Sequence, residues 1–128
     1  MNQVQDIHRQ AMDLAEQADL KRLRGDTSQV QELLRHALEL EAEAADMVAS
    51  DMTAEPTRSV LHRSAAALAV ECGELSLAEK LIARALAGAP PSDIAAELKD
   101  LFIRINLRNY FDRQGVTLTE DQLQLLSR

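Results

Sequence analysis

The chain has 128 residues, of which 46% are hydrophobic and 27% charged, a composition that predicts one globular domain and excludes a disordered chain. The net charge is −7, and residues 1–55 carry all of it, with twelve acidic side chains against five basic ones. Because nucleic-acid binding needs basic side chains gathered on one surface, this distribution excludes nucleic acid as the expected partner. With four glycines, three prolines and three aromatic residues, the chain has too few turn signals for an all-β fold.

The sequence shows no targeting or membrane segment. Its first residues lack a basic stretch followed by an apolar one, and its longest apolar run, residues 65–70, is far shorter than the roughly 20 residues that span a bilayer. Cys72 is the only cysteine, so no disulfide can form within the chain. We therefore expect a cytoplasmic protein with no membrane partner.

Two helices are predicted in the first half of the chain. The first has an apolar stripe at intervals of three and four residues and ends at Gly25, after a basic last turn. The second is capped by Asp26 or Ser28, and nothing breaks it before Thr53, which predicts six turns or more. The stripe of the first helix consists of Val4, Ile7, Ala11, Leu14 and Ala18.

Two further helices form a unit around Gly73. Thr53 is the expected N-cap of the third helix, which is alanine-dense and nearly uncharged in its middle and is therefore expected to be the most buried. Gly73 ends the third helix, and the fourth ends at Gly88 and Pro90. The fourth helix is expected to begin at Glu74 or Ser76 and to bury Leu77, Ala78, Leu81, Ile82, Ala85 and Leu86.

Ser92 is the expected N-cap of the fifth helix, which is followed by a tail. Its apolar stripe is formed by Ile94, Leu98, Leu101 and Ile105 and is widened by Ala95 and Phe102. Beyond Gly115, the alternation of Val116 and Leu118 is typical of a short strand, and residues 119–122 match a capping box that begins a last helix with Leu123, Leu125 and Leu126. A helix of about seven residues is unstable alone. We therefore expect the tail, residues 113–128, to dock as a C-terminal cap on the fifth helix of the domain of residues 1–112, or on a second copy.

Residues 59–92 have the length of one tetratricopeptide repeat, a helix–turn–helix unit of about 34 residues. Ala78 and Ala85 stand at its two conserved second-helix alanines, Gly73 at its inter-helix turn and Pro90 at its closing proline, whereas His62 stands in place of its tryptophan. The remaining large positions are also reduced, with Ala65 and Ala66 for Leu-Gly, Ala69 for tyrosine and Ile82 for phenylalanine. This unit resembles a divergent tetratricopeptide repeat.

A second unit appears when Gly25 is aligned with Gly73. Ala18 then occupies the small position of the first helix, Leu34 the bulky position, and Ala37 the alanine position of the second helix. The second helix is longer than in a regular repeat. The resemblance implies an all-α array of antiparallel helical hairpins with about five helices plus a short C-terminal one. An ordinary five-helix bundle also places alanines three and four residues apart, so it remains the alternative.

Two combinations of side chains were weighed as chemical sites. His36, Glu39 and Glu43 share one face of the second helix and could face a metal, but di-iron bundles pair Glu-x-x-His motifs on two helices, so a solvated acidic face is favoured. Cys72 and His62 are about 15 Å apart along the third helix, too far for a nucleophile and its base. We therefore expect no enzyme activity, no metal and no cofactor.

The one basic and aromatic cluster lies near the end of the fifth helix. It consists of Arg104, Arg108, Tyr110, Phe111 and Arg113. Such a cluster can bind single-stranded nucleic acid or an acidic peptide. Since the rest of the chain is acidic, we favour aromatics packed on the bundle with arginines in solvent.

The expected function is that of a non-enzymatic protein-interaction module that binds a partner peptide or helix in a groove. By resemblance to tetratricopeptide proteins, the first and third helices line this groove, which makes Lys21, Arg22, Arg58, His62 and Arg63 the candidate partner-binding residues. The alternative is a homodimeric regulatory or assembly subunit that self-associates through its long acidic second helix.

Overall fold

The computed structural model describes residues 2–117 and 119–126, and of Arg108, Leu123 and Leu126 it describes the backbone alone. The described residues are helical, without a strand, which confirms the all-α prediction. The elements are α1 (Gln3–Leu23), α2 (Val30–Val48), a 3-10 turn (Met52–Ala54), α3 (Thr57–Glu71), α4 (Leu75–Leu86), α5 (Ser92–Arg113) and α6 (Glu120–Leu126). No described helix combines the length and the apolar character needed to cross a membrane.

Consecutive helices pack as antiparallel hairpins. α1 packs on α2, and α3 packs on α4. Both hairpins turn at a glycine, Gly25 and Gly73, whose φ angles of 78° and 76° lie in the left-handed region that favours glycine. α3 also packs against α2 and α5, which makes this alanine-dense helix the centre of the fold, as its sequence predicts.

Small side chains let the helices approach closely. Ala66, Ala78 and Ala85 of the second hairpin have no exposed surface, and neither do Ala18 and Ala37 of the first. In tightly packed helix pairs, an alanine at the contact leaves room for the neighbouring backbone. The positions that carry the resemblance to a helical repeat are therefore buried in both hairpins.

The end of α2 differs from the sequence-based prediction. α2 stops at Val48 rather than continuing to Thr53, and the guanidinium of Arg58 donates from Nε to the carbonyl of the C-cap residue Ala49 at 2.8 Å. The chain then forms the 3-10 turn, in which the Asp51 carboxylate accepts a hydrogen bond from the Thr53 backbone N–H at 3.0 Å. An arginine of the next helix thus satisfies a carbonyl at the end of α2.

The beginning of α3 is also set by a side chain other than the predicted one. Thr53 is not its N-cap, since α3 begins four residues later at Thr57. The carboxylate of Glu55 takes the capping role by accepting a hydrogen bond from the Ser59 backbone N–H at 2.8 Å, and it also accepts one from the Ser59 hydroxyl.

The capping box of the tail is confirmed. Thr119 and Gln122 exchange hydrogen bonds between side chain and backbone, at 2.9 Å from the Thr119 N–H and at 3.2 Å from the Gln122 N–H. The strand predicted from Val116 and Leu118 rests in part on Leu118, which lies outside the described residues. Leu125 is exposed, and the side chains of the other two tail leucines are not described, so docking of the tail stays a prediction.

Candidate functional site

Two of the five predicted partner-binding residues, Arg58 and His62, lie in the interior. Arg58 is 1% exposed, and its guanidinium donates to the carbonyls of Ala49 at 2.8 Å, Arg84 at 2.8 Å and Ala85 at 3.4 Å. These carbonyls lie at the C-terminal ends of α2 and α4, where helix carbonyls lack partners and the helix dipole favours a cation. In this structure the guanidinium of Arg58 therefore caps α2 and α4 and is not open to a partner.

His62 is held in a chain of hydrogen bonds that joins α2, α3 and α4. Its Nδ1 lies 2.7 Å from the Arg58 carbonyl, so Nδ1 carries the proton and Nε2 accepts from Arg84 Nε at 2.8 Å. Arg84 in turn donates to the Asp46 carboxylate at 2.7 Å. The side chain of His62 is fully buried, so it too cannot contact a partner in this structure.

Burial makes His62 a source of pH-dependent stability. Desolvation lowers the pKa of His62 from its ordinary value of 6.5, and the nearby guanidinium groups of Arg84 and Arg58 act in the same direction. The unfolded chain therefore binds a proton at His62 at a higher pH than the folded chain does. The contribution of neutral His62 to the free energy of unfolding should be fully present above about pH 6.5. It should be lost as the pH falls through the lower pKa that His62 has in the folded chain.

We expect the variant His62→Gln to lose part of this pH dependence, because glutamine does not titrate. The check is the urea midpoint of both proteins at pH 7.5 and at pH 5.5. The midpoint of the parent should fall more between the two values than that of the variant, and every other titrating group is common to both. Equal falls would show that His62 does not contribute in this way.

The other three predicted residues lie at the surface, where each is close to a carboxylate of the same chain. Lys21 lies 3.6 Å from Asp26, and Arg63 lies 2.7 Å from Glu97 of α5. Arg22 lies 3.8 Å from Asp19 and 3.7 Å from Glu71, a contact that joins α1 to α3. The structure does not gather these cations into one patch, and their role in partner binding stays a prediction.

A buried carboxylate, which the sequence did not single out, connects α1, α2 and α3. Glu41 has no exposed surface, its two oxygens lie 2.9 and 2.8 Å from Nδ1 of His8, and the side chain of Ser64 lies close enough to act on its pKa. Desolvation raises the pKa of Glu41, against the opposing effect of these partners. Protonated Glu41 therefore adds to the free energy of unfolding at low pH, and this contribution is lost as the pH rises through the pKa that Glu41 has in the folded chain. Glu41 therefore serves as a polar connection between helices.

The side chains weighed as chemical sites form no metal cluster among the described residues. His36, Glu39 and Glu43 are exposed along α2. Cys72 is half-buried at the end of α3, where burial raises the pKa of its thiol and keeps it protonated at neutral pH. A protonated thiol is a weak nucleophile, so the position of Cys72 favours packing over reactivity.

One feature that the contacts within the chain do not explain is α5, which is apolar on two sides. Ile94, Leu98 and Leu101 are buried against α3 and α4. On another side, six residues line a shallow depression of about 310 Å³, namely Phe102, Ile103, Asn106, Leu107, Tyr110 and Arg113. We call these six residues the outer α5 face. At about 100° of rotation per residue, its centre lies about 140° from the buried stripe.

The large side chains of the outer α5 face are open to solvent. Phe102 is 44% exposed, Ile103 51% and Tyr110 49%, although the sequence pattern placed Phe102 on the buried stripe and favoured packing of the aromatics on the bundle. Tyr110 instead meets Phe111 edge to face, with ring centres 5.4 Å apart. The spacing of Ile103, Leu107 and Tyr110, at i, i+4 and i+7, is the signal in the sequence that identifies this second stripe.

Comparison with known proteins gave no match, since no family model, no curated protein and no solved structure matches the chain. The class of protein is therefore stated from its own structure. The described residues form an all-α protein of packed helical hairpins, in which α5 presents one apolar face to the core and another to solvent.

Proposed function

We propose that this protein is a non-enzymatic protein-interaction module, and that it binds a helix or peptide of its partner on the outer α5 face. The observation that carries the proposal is the two-sided apolar character of α5, with Phe102, Ile103 and Tyr110 each about half exposed. Contiguous apolar patches on soluble proteins mark interaction sites, and aromatic residues are enriched in the centres of such sites. A stripe at i, i+4 and i+7 fits an amphipathic partner helix.

The hairpins supply the rigid support that such a face needs. We propose that they are a divergent tetratricopeptide-like pair, with α5 as the helix that closes the array. Leu98, which has no exposed surface, fixes α5 against the core, so the outer face is held in one orientation before a partner binds. A preorganised face loses little conformational entropy on binding.

Two other surfaces fit the proposal less well. The groove next to Arg63 lies between α3 and α5, and four of its lining side chains are charged, including Arg63 and Glu97, which form an ion pair with each other. Self-association through α2 would bring together the exposed carboxylates of Glu32, Glu39 and Glu43 from two copies. Like charges in such an interface are destabilising, so the outer α5 face is the better candidate.

The test is capture of partners by the full-length chain and by Ile103→Asp. We expect the aspartate to remove a partner that the parent captures, because it places a charge in the middle of the apolar stripe. The matched control is Met47→Asp, since Met47 of α2 is also about half exposed, at 44%. Neither change should shift the melting temperature by more than about 2 °C, because both side chains are at the surface.

A partner that Ile103→Asp still captures would contradict the proposal. A partner lost with Met47→Asp alone would place the interface on α2. Light scattering coupled to gel filtration distinguishes a different protein from a second copy, because self-association would double the mass of the parent and Ile103→Asp would restore the monomer.

A further inference from the structure

The charges around the outer α5 face indicate what kind of helix it can accept. Lys99 lies on the same side of α5, one turn before Phe102, and Arg113 lies at the other end of the face. The two cations are about 21 Å apart along the helix axis. Both are exposed, and neither forms an ion pair with a residue that the structure describes.

The acidic residues of α5 fall outside the arc that the outer face covers. At about 100° per residue, Asp100 comes closest, about 90° from the centre of the face, and Asp93, Glu97 and Asp112 are further round the helix. The face is thus an apolar stripe with a cation at each end that pairs with no described residue, in a chain whose net charge is −7. The local charge has the opposite sign to that of the whole protein.

This arrangement is not complementary to itself. If two copies of α5 paired in antiparallel orientation about Asn106, Lys99 of one copy would lie opposite Arg113 of the other. Parallel pairing would place each cation opposite its own equivalent. Either arrangement brings like charges together at both ends of the stripe, which opposes a symmetric dimer through this face.

We infer that the partner is an acidic amphipathic helix of another protein, with carboxylates at both ends of its apolar stripe. This inference rests on the proposed function and adds the chemistry of the partner to it. The apolar side chains of that helix cover Ile103, Leu107 and Tyr110, and its terminal carboxylates pair with Lys99 and Arg113. Exposed ion pairs of this kind contribute little each, but they select between partners and raise the rate of association.

The experiment is selection from a displayed library of helical peptides of about 18 residues, long enough to span the two cations. Apolar positions vary among leucine, isoleucine, phenylalanine and methionine, and the end positions vary among glutamate, lysine and glutamine. The target is the full-length chain, with counter-selection against Ile103→Asp. We expect glutamate to be enriched at both ends of the peptides that bind the parent and not Ile103→Asp.

The selected peptide is then titrated against the double variant Lys99→Glu with Arg113→Glu. Binding should weaken about tenfold, and the weakening should decrease at high salt. The control is Arg24→Glu with Lys80→Glu, which has the same net charge change at exposed positions away from α5 and should bind like the parent.

The outcomes separate the inference from the proposed function. In one outcome, the selected peptides depend on Ile103 and yet show no preference for glutamate, or prefer lysine. That result would overturn the inference of an acidic partner and would still support the outer α5 face as the binding site. Absence of any peptide that depends on Ile103 would overturn both. Dimerisation of the parent that Ile103→Asp abolishes would identify a second copy as the partner and would also overturn the inference.

Discussion

The variant Arg58→Met is expected to unfold at a temperature roughly 10 to 20 °C below that of the parent, which corresponds to a loss of about 3 to 5 kcal/mol. Methionine fills the aliphatic part of the site but donates no hydrogen bond. The carbonyls of Ala49 and Arg84 would then lie at two helix ends without the Arg58 donor, whereas the Ala85 carbonyl would keep its hydrogen bond from the Gly88 N–H. Thermal unfolding followed by circular dichroism measures the effect.

The control for this variant is Arg63→Met, which removes an arginine whose ion pair with Glu97 is at the surface. Its cost should stay below about 1 kcal/mol. If Arg58→Met melted like Arg63→Met, the capping role of Arg58 would be wrong.

A glycine next to Arg58 gives an independent check of the same contact. A Cβ atom at Gly88 would overlap Nη1 of Arg58 and lie 2.9 Å from its Cζ. Gly88→Ala should therefore displace the guanidinium and destabilise the parent, but it should cost less in the Arg58→Met background. Additive effects of the two changes would show that Gly88 and Arg58 do not act on each other.

The variant Ala78→Leu is expected to cost about 1 to 3 kcal/mol through overpacking. Ala78 has no exposed surface and is packed in a cluster with Leu68 and Ala69 of α3, so the additional carbons of leucine have no free space. Urea unfolding gives the free energy directly. Ala83→Leu is the matched control, because Ala83 is exposed on the same helix, and leucine there should be nearly neutral.

An unchanged free energy of unfolding for Ala78→Leu would contradict the close contact of α3 with α4. It would also remove the basis for the repeat-like alignment, which places Ala78 at the small position of the second helix.

The helices were predictable because their apolar residues follow the helical period, and the glycines at positions 25 and 73 mark the hairpin turns. The contact at the end of α2 was not predictable, since Arg58 follows Ala49 by nine residues and reaches its carbonyl only after a reversal of the chain. For the same reason Arg58 and His62 looked like surface residues. A sequence shows that a side chain is polar, but the carbonyls that satisfy it are defined only by packing.

The candidate surface was partly predictable. The sequence pattern identified one apolar stripe on α5 and assigned Phe102 to it, because helical periodicity gives the width of a stripe but does not show which neighbour covers it. The structure shows that Ile105 still packs against the core beyond Leu101, whereas Phe102 and Ile103 lie on another side of α5 and remain about half exposed. Of the basic and aromatic cluster at the end of α5, Tyr110 and Arg113 belong to the outer α5 face.

The fluorescence of Tyr110 tests the binding role of the outer α5 face most directly. The chain has one tyrosine and no tryptophan, so its emission reports on this face alone. Quenching by acrylamide should be efficient in the free protein, where Tyr110 is 49% exposed, and should decrease when a partner helix free of tyrosine and tryptophan is bound. A bound partner that leaves the quenching of Tyr110 unchanged would contradict the claim that the outer α5 face is the binding site.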